Sequence, residues 1–104
     1  MSNLNLNEIG QVIYVNAGKD ISASTPTLIL APEIGELKEI TTGVTVGSVD
    51  ITVDNVELLA DEYIQYTTID GDLSYTGRWK KKAKLDYSSA NIEQTDYVKF
   101  RVLP

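Results

Sequence analysis

Residues 77–87, Gly-Arg-Trp-Lys-Lys-Lys-Ala-Lys-Leu-Asp-Tyr, constrain this chain more than any other stretch. They hold the only Trp and five of the nine basic residues, and they alternate with a period of two. Trp79, Lys81, Ala83, Leu85 and Tyr87 fall on one side; Arg78, Lys80, Lys82, Lys84 and Asp86 fall on the other. A period of two belongs to a pleated strand, so the pattern predicts a half-buried β-strand, Trp79 inward and a cationic ribbon outward. Lys, Ala and Leu each favour helix, but the leading Gly77 and the sustained alternation favour the strand.

The rest of the chain reads as short strands between turn signals. Residues 11–15 are β-branched and aromatic, a good first strand. Residues 16–25 are rich in Asn, Gly, Asp, Ser and Thr and mark a loop. Residues 27–31 lie between Pro26 and Pro32, too short for a helix, and predict a buried strand. In residues 33–40, Ile34, Leu37 and Ile40 are spaced by three, but Gly35 weakens a helix, leaving an acidic loop or one short turn. Val44 to Val46 predict a brief strand or bulge between Gly43 and Gly47. Val49, Ile51 and Val53 alternate with Asp50 and Thr52; Asp54-Asn55 supplies turn chemistry before an apolar return, a hairpin signal. Residues 62–68 and 96–103 complete the strands. In the last, Val98, Phe100 and Val102 face in while Tyr97, Lys99 and Arg101 face out. Residues 1–8, where Asn and Leu alternate, are expected to be a flexible N-terminal arm, and residues 9–104 a single domain. About seven or eight short strands and no helix predict an all-β, antiparallel sandwich or barrel. With no cysteine to staple it, its centre has to be Trp79 packed on Phe100 and aliphatic side chains.

Composition narrows the chemistry. Zero Cys excludes disulfides and thiolate zinc sites, and zero His removes the Ser-His-Asp and Cys-His mechanisms and imidazole metal ligation. No catalytic, cofactor or metal site is expected. Asp70-Gly71-Asp72 resembles a fragment of a calcium loop, but Ser74 and Lys81 stand where that loop needs carboxylates, so it reads as a turn. The N-terminus lacks the basic and apolar regions of a secretory signal, and no apolar run approaches the ~18–20 residues of a membrane span. The expectation is a chain made in the cytoplasm with no membrane partner.

The charges are unevenly spread. Residues 1–72 carry two basic and twelve acidic side chains, and residues 73–104 carry seven basic and three acidic, within a net charge of −6. Folding mixes sequence halves, so the simple expectation is partial neutralisation across the sheets; the sharper one is acidic and basic faces suited to packing against copies of itself. Arg78, Lys80, Lys82 and Lys84 form the candidate interface, joined by Lys99 and Arg101 if the last strand pairs alongside. They read as a solvated face or a salt-bridging protein interface. An overall acidic chain with no triplet of stacking aromatics is not expected to take nucleic acid. The six tyrosines offer a second candidate, a sugar- or receptor-binding surface.

The second half of the chain also carries a resemblance. Asp70-Gly71-Asp72-Leu73 leads to Gly77-Arg78-Trp79, an alternating strand, a Ser/Asn turn, and Asp96-Tyr97-x-x-Phe100-x-Val102. This resembles small immunoglobulin-like domains of tailed-bacteriophage virion proteins, including the N-terminal domain of the baseplate upper protein family. There a Gly-aromatic pair opens the penultimate strand and a Phe-x-Val strand ends the domain. The sequence departs from the baseplate pattern in stopping at Pro104, without a shaft or receptor-binding region. The resemblance implies an immunoglobulin-like β-sandwich and a non-enzymatic subunit of the virion: neck, tail, baseplate or capsid surface. Its partners would be other virion proteins and further copies of itself. It carries over no catalytic residues.

Overall fold

The computed structural model describes residues 3–33, 35–88 and 91–104. The alternating stretch is the longest strand and the centre of an all-β architecture, with no helix among the described residues. In chain order the strands are β1 (Asn3–Asn5), β2 (Val12–Asn16), β3 (Thr25–Pro32), β4 (Lys38–Ile40), β5 (Thr45–Val46) and β6 (Ile51–Val53). They continue with β7 (Val56–Leu58), β8 (Tyr63–Thr67), β9 (Gly77–Ser88), β10 (Asn91–Gln94) and β11 (Val98–Leu103). A large sheet runs β1-β11-β9-β3-β4 with β10 also on β9; a small sheet runs β2-β8-β5; β6 and β7 form a separate hairpin. All these pairings are antiparallel except β1 on β11, which is parallel.

The two sheets share one core. Leu28 and Leu30 of β3, Trp79, Ala83 and Leu85 of β9, and Phe100 and Val102 of β11 come from the large sheet. Ile13 and Val15 of β2 and Ile64 and Tyr66 of β8 meet them from the small one. Trp79 is 1% exposed, its ring 5.9 Å from that of Phe100, and its indole N–H donates to the Tyr75 carbonyl at 3.0 Å. The centre of the core is therefore the expected one.

Several elements differ from expectation, each for a backbone reason. From Asn3 onward the expected arm is a sheet edge: β1 pairs with β11, Leu4 enters the core, and the Leu6 and Asn7 amides donate to Leu103 and Leu73. Met1 and Ser2 lie outside the described residues. Pro26 and Pro32, expected to bound a strand, lie within β3. The Glu33 amide bonds the Arg78 carbonyl, so the odd-numbered residues of β3 face β9. Both proline nitrogens point the other way, where β4 reaches only Leu28 to Leu30 and no donor is needed. Within residues 33–40, Lys38–Ile40 is a strand rather than a loop or turn; Ile34 is outside the described residues. Asp54 and Asn55 both have positive φ, 50° and 66°, as a tight type I′ hairpin turn requires.

β10 has no counterpart in the sequence pattern. Thr95 stands opposite Ala83, its amide donating to that carbonyl and its Oγ1 accepting from the Ala83 amide at 3.0 Å. Val98 stands opposite Lys81. Asp96 and Tyr97 thus face the single residue Lys82, a β-bulge that divides one long partner strand of β9 into β10 and β11.

Candidate functional site

The outward side of β9 carries the candidate site. Residues directly opposite across an antiparallel pair share a face of the sheet. Arg101 is opposite Arg78 and Lys99 is opposite Lys80, so the last strand does pair alongside and adds its two cations. All six candidates, Arg78, Lys80, Lys82, Lys84, Lys99 and Arg101, lie on this one face. On the other flank β3 sets Thr27, Ile29 and Ala31 opposite Lys84, Lys82 and Lys80, small or apolar residues that offer no counter-charge. Ile29 is nonetheless buried, 3% exposed, and stands between Lys82 on β9 and Glu39 on β4, so Glu39 shares this face.

The bulge gives this face its one aromatic. Tyr97 lies beneath two ammonium groups, with Lys82 Nζ 4.5 Å and Lys80 Nζ 5.8 Å from the ring centroid. A phenol ring over which two cations sit lowers their mutual repulsion through its negative face, but supplies no net charge. A shallow hollow of about 490 Å³ opens where Ala31 leaves space beside Lys80, with Arg78, Lys99 and Glu33 around it.

Among the described residues, none of the six cations is within ion-pair distance of a carboxylate; the pair that does form, Lys19 with Glu93, lies elsewhere. Two directly opposed like-charge pairs without an intramolecular counter-ion destabilise a sheet. The acidic side chains concentrate elsewhere in the sequence: residues 50–62, the β6–β7 hairpin and the segment after it, hold Asp50, Asp54, Glu57, Asp61 and Glu62 and no basic residue.

The inward side of β9 holds one charged residue, Lys81, between Leu30 and Val98. It is half-buried, its Nζ 5.7 Å from the Phe100 ring centroid. Burial pushes the ammonium below its ordinary pKa, against the pull of Asp54. It lines a cavity of about 280 Å³ bounded by β2, by Val53, Asp54, Val56 and Leu58 of the hairpin region, and by Val98, Lys99 and Phe100. Sequence reasoning put Lys81 inward but had no signal for the cavity, which depends on where the hairpin folds.

The tyrosines do not converge on one surface. Tyr63 and Tyr66 are core residues, while Tyr97 sits on the cationic face and Tyr75 packs over Gly35. Asp70-Gly71-Asp72 is a turn that ties itself to the core, because the Asp72 carboxylate accepts from the Ile69 amide at 2.8 Å and from the Tyr66 hydroxyl. Comparison with known proteins finds no matching family model, no matching curated protein and no matching solved structure.

Proposed function

We propose that this chain is a non-enzymatic assembly subunit of a tailed-bacteriophage virion, an immunoglobulin-like β-sandwich that docks through its cationic sheet face. The observation that carries the reading is two opposed cation pairs on one face, Arg78 with Arg101 and Lys80 with Lys99, none within ion-pair distance of a carboxylate among the described residues. A face that is unfavourable in the isolated molecule becomes favourable when an acidic partner surface covers it. The resemblance to phage virion domains supports the same reading. Its residues, Gly77-Arg78-Trp79 and Phe100-x-Val102, are the ones that pair at the centre of the large sheet.

The partner surface is acidic, and a neighbouring copy supplies one in residues 50–62. Such a contact joins two different patches and propagates head to tail into a ring or an array. Nucleic acid fits the face less well, because the chain is net −6 and, among the described residues, Tyr97 is the one aromatic there on which an exposed base could stack. Mass spectrometry and immunogold labelling of purified particles test the assignment. The protein is expected in stoichiometric amounts on virions; a protein abundant in infected cells but missing from purified particles contradicts it.

A further inference from the structure

The small sheet ends in β2, and β2 has an open side. The Ala17 amide bonds Glu62 and the Thr68 amide bonds Gln11, so in this ladder the odd-numbered residues, Ile13 and Val15 among them, exchange bonds with β8. The N–H and C=O groups of Val12, Tyr14 and Asn16 therefore point away from β8, and among the described residues no backbone group meets them. Edge strands are ordinarily blunted by a charge, a proline or a bulge. This one, Val-Ile-Tyr-Val-Asn, has none of these.

The 280 Å³ cavity lies against that edge. Five consecutive residues, Val12 to Asn16, line it. Side chains of consecutive residues point to opposite faces, so a cavity that touches all five is bordered by the strand's backbone edge. Across the gap stand Val56 of the hairpin and Val98 of β11, 53% and 45% exposed although both belong to apolar faces. Lys81 lines it together with Asp54, whose charge acts on the ammonium.

We propose that this edge is a strand-addition site that takes an extended peptide segment from a partner protein, apolar at alternate positions and carrying a carboxylate that reaches Lys81. The unpaired groups of Val12, Tyr14 and Asn16 require a backbone, which a lipid or small apolar ligand does not bring. About 150 Å³ already accommodates a benzene, so the cavity accepts two side chains from one face of an added strand. The main chain supplies affinity and the inserted side chains supply selectivity, as in other strand-addition modules. Lys99 borders both this cavity and the outward cationic face, but the strand-addition test does not depend on phage origin.

The test uses the full chain and a synthetic library of acetylated heptapeptides in which Val, Leu or Phe alternates with Ser and one position is Asp. Binding is read by fluorescence anisotropy and by amide chemical shifts. The best binder is then remade with a single N-methyl group at each backbone nitrogen in turn. Strand addition predicts that methylation at alternate positions weakens binding about tenfold while the intervening positions tolerate it. It also predicts that the shifts of Val12, Tyr14 and Asn16 exceed those of Ile13 and Val15, and that replacing the peptide Asp by Asn weakens binding less in K81M than in wild type. Three outcomes overturn it: no library member binding, affinity indifferent to the position of the N-methyl group, or β2 occupied by β2 of a second copy in a concentration-dependent dimer.

Discussion

Trp79 and Tyr66 hold the interior by different means. Trp79 fills the space between β3 and β11 and satisfies its one polar atom on Tyr75, so the largest side chain of the core leaves no donor unpaired. Tyr66 reaches the edge of the core, where its hydroxyl donates to Asp72. Loss of solvent and the neighbouring carboxylate both disfavour the phenolate, and the Tyr66 pKa is pushed up from 10.0 to about 12. The unfolded chain therefore gives up this proton at lower pH than the folded one. The stability that Tyr66 contributes is complete below the unfolded value and is lost as pH rises through the folded one. Urea unfolding from about pH 9 to about pH 12 should show a steeper loss of stability in wild type than in Y66F. Equal slopes contradict the assignment. Gly47 shows the same close packing from the other direction: a Cβ there would lie 1.9 Å from the Tyr63 ring, so no larger residue fits without moving a core tyrosine.

At the scale of elements, what could be read from the sequence followed periodicity, and what could not depended on partners distant in the chain. β9 shows its period of two over its whole length, and its inward residues Trp79, Ala83 and Leu85 are buried as expected. The Asp54-Asn55 turn was legible because its chemistry is local. β1 and β10 were not, since Asn3–Asn5 and Asn91–Gln94 are polar and gain strand geometry by pairing with β11 and β9. The two prolines misled for a similar reason: their missing donors matter only relative to where β4 stops. The six-cation face was half legible; β9 declared four of its members, and the register of β11 brought in the others. The bulge joining β10 to β11 rests on Thr95, whose hydroxyl stands in for a backbone acceptor opposite Ala83. T95V keeps the shape and leaves the Ala83 amide without that partner. It should cost about 1–3 kcal/mol in chemical denaturation, whereas an unchanged midpoint means the bulge holds without the bond.

At the scale of the whole molecule, the fold gathers six of the nine basic side chains on the outward face of the large sheet. The outward cations of the large sheet have no carboxylate within ion-pair distance among the described residues, though Glu33 borders the hollow beside Arg78 and Glu39 lies across Ile29 from Lys82. The cause is topological: the cation-bearing segments of residues 73–104 become the adjacent strands β9 and β11, while the acidic residues 50–62 leave for the hairpin. On the proposed function, this face sacrifices some stability of the isolated domain for attraction to an acidic partner. The double variant R101E/K80E tests that trade, because each substitution turns an opposed like-charge pair into an opposite-charge pair. Thermal melts combined with sedimentation velocity at low and high salt read both sides at once. Wild type should self-associate at low salt and dissociate at high salt. The variant should stay monomeric with stability raised by roughly 0.2–1 kcal/mol per pair. A variant that associates as wild type does, or that loses stability, contradicts it.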